Sequence, residues 1–189
     1  LDAWDEALAK QGAVLLRTRK SYLDLMAGEA AAAYRGISGG RESLTLNYAG
    51  TVAPPGDLPA FLCRLQEQRE EDIRLGFTQS GPHRDDLEVL IDGVPARSFA
   101  SQGQQRSAVL ALKLAECSLI ERLAGETPVV LLDDVMSELD TGRRSFLLER
   151  MQGRQVFVTC CEPETLSAAR GGLCFLLEKG KLISSQPLL

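Results

Sequence analysis

The chain has 189 residues, 44% of them apolar and 25% charged, and a formal net charge of −5. Those values fit a globular protein of one or two domains with room for a sizeable core, and they leave no whole-chain basic footprint, so contact with nucleic acid would need a local patch. No apolar run nears the roughly 20 residues that span a bilayer. The five cysteines form no Cys-x-x-Cys pair, which favours thiols in a reducing cytosol, and the single histidine, His83, argues against a multi-histidine metal site or a Ser-His-Asp triad.

The chain opens "LDAWDEALAK", without an initiator Met and already in helical register, so it reads as the back portion of a longer protein. A long helix is predicted from Leu1 to about Ile37, with Leu1, Leu8, Leu15 and Tyr22 recurring every seven residues and Trp4 and Leu25 on an adjoining stripe. "GISGGRE" breaks it, and Ser43 to Tyr48 alternates as a strand. Asp57 can cap a helix running to about Leu75, with Pro59 in its first turn and "REED" on a solvated face. After "GFTQSGPHRDD", Leu87, Val89 and Ile91 alternate up to Asp92-Gly93, a hairpin signal, with a return strand ending near Phe99. A helix follows from Ser101 to about Leu123, with Val109, Leu112, Ala115, Leu119 and Leu123 on one face. Pro128 to Leu132 is a continuous apolar strand, Thr141 to Met151 a helix, and Gln155 to Thr159 a second buried strand. A short helix is expected at Pro163, and a hairpin turns at Lys179-Gly180. Apolar strands alternating with helices predict a largely parallel α/β sheet in the second half.

Two stretches can carry chemistry. In "VVLLDDVMSELD", a dry strand delivers Asp133 and Asp134 to its carboxyl end, where open α/β sheets bind ligands. Adjacent carboxylates repel, and a divalent cation relieves that repulsion. One aspartate can hold Mg²⁺ while the other orients a water; the plainer alternative is that both cap the following turn. In "SQGQQRS", Ser101 and Gln104 make a capping box, which explains a helix start and nothing more. Gly103, however, lies in the first turn, where it costs about 1 kcal/mol relative to Ala. A glycine there admits a close neighbour, and a helix N-terminus is itself an anion site, so the segment could meet a phosphate.

In this order and separation, the two stretches resemble the second half of an ABC-type ATPase head. "ASQGQ" is similar to the signature loop of that class, "VVLLDD" to its Walker B strand, and "SELD" to its D-loop. "GPHRDDL", "SQGQQRS" and "LLDDVMSELD" continuing through "TGRR" narrow the resemblance to the SMC-like branch and, within it, to the RecF family of bacterial recombinational-repair ATPases. The resemblance spans about Thr78 to Arg144. It implies an α/β C-terminal lobe of an ABC/SMC-like head over residues 78–189 and part of a mainly helical inserted arm over residues 1–77.

By the same resemblance Asp133 would coordinate Mg²⁺, and Asp134 would orient the attacking water, a post usually held by Glu. Ser101, Gln102, Gly103 and Gln104 would meet ATP held by the other subunit of a dimer. Ser137 and Asp140 would line that interface. The whole protein would be a slow, Mg²⁺-dependent ATPase of the cytoplasm, serving DNA repair, recombination, replication and the SOS response. It would dimerise on ATP, clamp gapped or junction DNA, and help load RecA together with RecO and RecR. No membrane partner is implied. Two departures stand out. The strand after the D-loop ends "VTCCE", with no histidine where ABC heads commonly carry one, and no G-x-x-x-x-G-K-[ST] loop occurs. The chain alone is therefore expected to bind ATP weakly or not at all.

Other residues are expected to be structural. His83 can belong to a turn network or act as an acid or base. Arg17, Arg19, Lys20, Arg35 and Arg41 can face water or DNA phosphates. Arg143, Arg144, Arg150 and Arg154 can offset nearby carboxylates. Trp4, Tyr22, Cys160 and Cys161 are expected in packing. The rival readings are another SMC-like head with a different cargo, and a non-catalytic scaffold for repair partners.

Overall fold

The structure, a computed structural model, describes residues 1–162, 166, 169 and 171–188. They form two compact units, Leu1–Leu123 and Ala124–Leu189.

In the first unit, helix α1 (Asp2–Ile37) is followed by strand β1 (Leu44–Ala49), helix α2 (Leu58–Leu75), strands β2 (Asp86–Ile91) and β3 (Val94–Pro95), and helices α3 (Ala96–Phe99) and α4 (Gln102–Ala124). The buried face of α1 differs from the heptad stripe. Leu1, Trp4, Leu15 and Leu25 are exposed, while Ala9, Gly12, Ala13 and Leu16 turn inward, as do Met26, Ala30, Ala33, Tyr34 and Ile37 further along. Small residues win because α2 comes close there. A Cβ on Gly12 would stand 2.4 Å from Cε1 of the buried Phe61, so only glycine fits beside that ring. Ala9, Leu16, Val52, Phe61 and Leu65 form the core between the two helices. Asp57 caps α2 by accepting from the amide of Ala60 at 2.8 Å. The "REED" run is not simply solvated, since Arg69 ties α2 to Asp2 and Asp5 on α1.

Strands β1, β2 and β3 form an antiparallel sheet, with Leu44 opposite Ile91 and Ala49 opposite Asp86. Asp92 (φ 50°) and Gly93 (φ 79°) make the expected tight turn. The carboxylate of Asp92 accepts from the amide (2.8 Å) and hydroxyl (2.9 Å) of Ser43. Those bonds, the amide's first, hold its pKa below the usual carboxylate value. The return strand does not reach Phe99. Pro95 lacks the N–H that would extend the ladder, and α3 begins at Ala96 instead. On α4 the buried stripe is Ser107, Ala108, Leu110, Ala111, Leu114, Ala115 and Leu119, whereas Val109 and Leu123 of the expected face are exposed.

The second unit holds β4 (Val130–Asp133), a 3-10 turn (Met136–Glu138), α5 (Thr141–Arg150), β5 (Val156–Thr159) and a hairpin of β6 (Leu173–Glu178) and β7 (Lys181–Pro187). β4 and β5 pair in parallel, with Leu131 opposite Phe157 and Asp133 opposite Thr159. The expected two-sided burial of β4 is only half met: Val130 and Leu132 are buried, but Leu131 is 74% exposed and its partner Phe157 57%. Met136, Leu139, Leu147 and Met151 are buried beside them in sequence. Lys179 (φ 50°) and Gly180 (φ 76°) turn the last hairpin as expected. The expected helix at Pro163 falls outside the described residues. No helix among them is long and apolar enough to cross a membrane.

Candidate functional site

The predicted residues gather at two corners, one in each unit. In the first, the chain leaves the short helix α3, extends at Ala100, and enters α4 at Gln102. Ser101 and Gln104 form the predicted capping box. The Ser101 amide donates to Gln104 Oε1 at 2.8 Å, and the Gln104 amide donates to Ser101 Oγ at 3.3 Å. Ser101 and Gln102 are exposed, while Gly103 and Gln104 are half-buried. The Gly103 carbonyl accepts from the hydroxyl of buried Ser107 at 2.7 Å, which closes the first turn. The corner thus presents a serine hydroxyl and the open N–H groups of a helix start, the donors an anion needs.

Two residues that the sequence did not single out complete this corner. Gln104 Nε2 donates to Glu42 Oε1 at 2.9 Å, and the hydroxyl of Tyr34 donates to Glu42 Oε2 at 2.7 Å. Glu42 lies 62 positions from Gln104, and no local pattern links them.

The second corner is the carboxyl end of β4. Asp133 is the last strand residue and Asp134 leaves the strand in the left-handed region, at φ 52°. Thr159, opposite Asp133 on β5, holds both aspartates. Its hydroxyl donates to Asp133 Oδ1, and the same oxygen accepts from the amide of Asp134 at 3.0 Å, reinforced by the Thr159 carbonyl at 3.2 Å. The sequence leaves Thr159 or Cys160 of "VTCCE" in this neighbourhood, with no role for either. The signal that could have found Thr159 was parallel register, which sets the end of one strand beside the end of the next.

The carboxylate of Asp134 accepts from the Ser137 hydroxyl at 2.9 Å, and the Asp134 carbonyl accepts from the same hydroxyl at 2.8 Å. Asp140 caps α5 by accepting from the Arg143 amide at 3.0 Å, with the Arg143 guanidinium 3.5 Å away. Arg144 donates to the Met136 carbonyl at 2.8 Å, and Arg150 stacks on Phe146 at 5.5 Å. Ser137 and Asp134 are therefore joined in the turn after β4, and Asp140 opens α5 just beyond it. Among the described residues no group of three or more His, Cys, Asp or Glu side chains could enclose a metal. A single carboxylate steadied by a hydroxyl suits a hard cation such as Mg²⁺, which takes one or two protein carboxylates and completes its shell with water and substrate phosphates.

"GPHRDD" packs as a latch inside the first unit. Asp85 accepts from the hydroxyl of Tyr48 (2.5 Å) and from the amide (2.7 Å) and hydroxyl (3.0 Å) of Thr51. Burial, and then the Asp85 carboxylate, push the Tyr48 phenol up to about 12. The Gly81 amide donates to Thr51 Oγ1 at 2.8 Å, and a ring nitrogen of His83 lies 2.9 Å from the Thr78 carbonyl. Arg84 stacks on Phe77 at 4.5 Å. His83 takes the turn-network role. Two packing expectations fail: Trp4 is 76% exposed, and Cys161 is exposed with Cys160 half-buried.

No protein-family model matches the chain. It is 46% identical over 165 residues to the DNA replication and repair protein RecF of Rippkaea orientalis, an alignment covering 84% of this chain and 43% of that relative. Against the RecF of Heliobacterium modesticaldum it is 41% identical over 196 residues, covering 98% of this chain and 52% of the relative. Among solved structures, the recombination mediator protein RecF–ATP of the RecFOR pathway matches with a TM-score of 0.81 and 33% identity, over 97% of this chain and 49% of the other. The chain belongs to the RecF family. It corresponds to a C-terminal portion of RecF and spans about half the length of the curated relatives it matches. A head structure from the SMC ATPases, at 15% identity and a TM-score of 0.55, shares the fold. The expected α/β, SMC-like head architecture therefore holds.

Proposed function

We propose that this chain supplies half of each nucleotide site in an ATP-dependent RecF dimer. Ser101 and Gly103, with Gln102 and Gln104, would meet the γ-phosphate of ATP bound by the partner protomer. Asp133 would hold Mg²⁺ on the chain's own side, Thr159 would keep its carboxylate turned, and Asp134 would orient the attacking water. Ser137 and Asp140 would line the interface. Residues 1–77 would be part of the arm and 78–189 the C-terminal lobe. The intact protein would clamp DNA at gaps or junctions, with the basic residues of α1 among its phosphate contacts. It would act with RecO and RecR in loading RecA, and hydrolysis would reopen the dimer.

One observation supports this reading above the rest: the two adjacent carboxylates have different surroundings, Asp133 bonded to Thr159 on β5 and Asp134 bonded to Ser137. Thr159 fixes Asp133 in the strand, while positive φ swings Asp134 out of line with it. The test uses the intact protein that carries this chain. Asp134→Asn should lower hydrolysis by about a hundredfold or more and trap the ATP-bound dimer. Ser101→Arg should block dimerisation while monomers still bind ATP. Normal hydrolysis in both variants would overturn the assignment.

A further inference from the structure

We infer that Glu42 is a positioning residue that couples the end of the long arm helix to the signature corner. The inference rests on the reading of Ser101 to Gln104 as half of a nucleotide site, and it names what sets that half.

The geometry leaves the Gln104 side chain one arrangement. The Ser101 amide can only donate, so it faces Oε1 of Gln104. The Glu42 carboxylate can only accept, so it faces Nε2. A flipped amide would lose both bonds at once. The Ser-x-x-Gln cap is therefore a local motif whose orientation is dictated from outside, by a carboxylate 62 positions earlier in the chain.

Glu42 is itself pinned from the arm side. Tyr34, fully buried in the last turn of α1, donates to its second oxygen. Ser38, the residue that ends α1, reaches the Glu42 carbonyl at 3.4 Å, and Arg41 donates to the Ser38 carbonyl at 2.9 Å. The next residue, Ser43, is fixed by Asp92. A shift of the end of α1 would thus move Glu42, turn Gln104, and release the Ser101 amide from its cap. The Ser101 hydroxyl beside that amide and the Gln104 side chain it holds are among the groups proposed to meet phosphate, so losing the cap disorders them. The 36-residue helix is the lever and Glu42 the joint.

The test uses the intact protein carrying this chain. ATP-driven dimerisation is followed by analytical ultracentrifugation, monomer affinity by a fluorescent ATP analogue, and folding by the thermal midpoint. Glu42→Ala should weaken the dimer about a hundredfold, from a loss of about tenfold at each of two symmetry-related sites. Monomer ATP affinity should stay within about twofold. Glu42→Gln keeps an acceptor for Gln104 and a partner for Tyr34, and should restore dimerisation to within about threefold of normal. Tyr34→Phe removes the Tyr34–Glu42 bond but keeps Glu42 on Gln104, and should fall between them. If Ser101→Arg abolishes the dimer while Glu42→Ala leaves it intact, the coupling is refuted and the site reading survives. If Glu42→Ala lowers the dimer, the monomer affinity and the thermal midpoint together, Glu42 is a folding residue and the inference also fails. If Ser101→Arg dimerises normally, the site reading falls and the inference with it.

Discussion

The two corners are anchored to different depths. Gln104 is wired through Glu42 to Tyr34, a fully buried side chain in the packed part of the first unit. Asp133 and Asp134 are held by one neighbouring strand, through Thr159, and by their own turn, through Ser137. The sheet face beneath them carries Leu131 and Phe157 in the open. A serine-led helix start is set by long-range contacts made within its unit. The acidic strand end is set by register and a threonine. The first arrangement ties the serine corner to the last turn of α1, and the second fixes carboxylates at a strand end.

The contrast can be broken most severely in the core. Phe61→Ala empties the space beside Gly12 and should destabilise the first unit by about 3–5 kcal/mol, read by chemical denaturation. Leu131→Ala, on the exposed face of β4, should change stability by about 0.5 kcal/mol or less. Equal losses would mean that the second unit has a core as complete as the first. Next in size is Thr159→Val in the intact protein. It removes a hydroxyl and little volume, and should cost about ten- to a hundredfold in Mg²⁺-dependent hydrolysis, with Thr159→Ser restoring most of it. No loss in the valine variant would leave Asp133 positioned by the strand alone. The smallest effect is alkaline. The Tyr48 phenol is raised from 10.0 to about 12 by burial and by Asp85. Its contribution to stability is complete below pH 10 and falls away as the pH rises to about 12, because the unfolded chain gives up that proton first. A denaturation series across that window should show the decline, and Tyr48→Phe should flatten it.

Much of the local structure was legible in the sequence, and the reasons are local. Asp57 before Pro59 marked the start of α2, Asp92-Gly93 and Lys179-Gly180 marked tight turns, and Ser101 with Gln104 marked the start of α4. These signals act within four residues. The faces of the long helices were less legible. Leucine spacing on α1 pointed to one stripe, but the close approach of Phe61 selected the alanine and glycine stripe. The strand that the hairpin signal extends to Phe99 stops at Pro95, whose missing N–H is a one-residue signal inside an otherwise plausible run. At the candidate site the polar end groups were visible because "SQGQ" and "LLDD" are contiguous. Glu42, Tyr34 and Thr159 were not assigned roles, because each acts through a partner at least eight positions away and has no spacing signature of its own. The resemblance carried the family, and the structure adds how its residues are held.

The central claim is that each nucleotide site is built from two protomers, the acidic strand end of one and the serine corner of the other. Mixing tests it most directly. Intact Ser101→Ala protein, whose small side chain removes the hydroxyl without blocking the interface, and intact Asp134→Asn protein are each assayed alone for ATP hydrolysis and then combined, before ATP is added, at concentrations that favour dimers. The mixed dimer should hold one undamaged site, with Asp134 from the first variant and Ser101 from the second, so hydrolysis should reappear on mixing. If the mixture stays as inactive as either variant alone, the two corners do not act across the dimer interface.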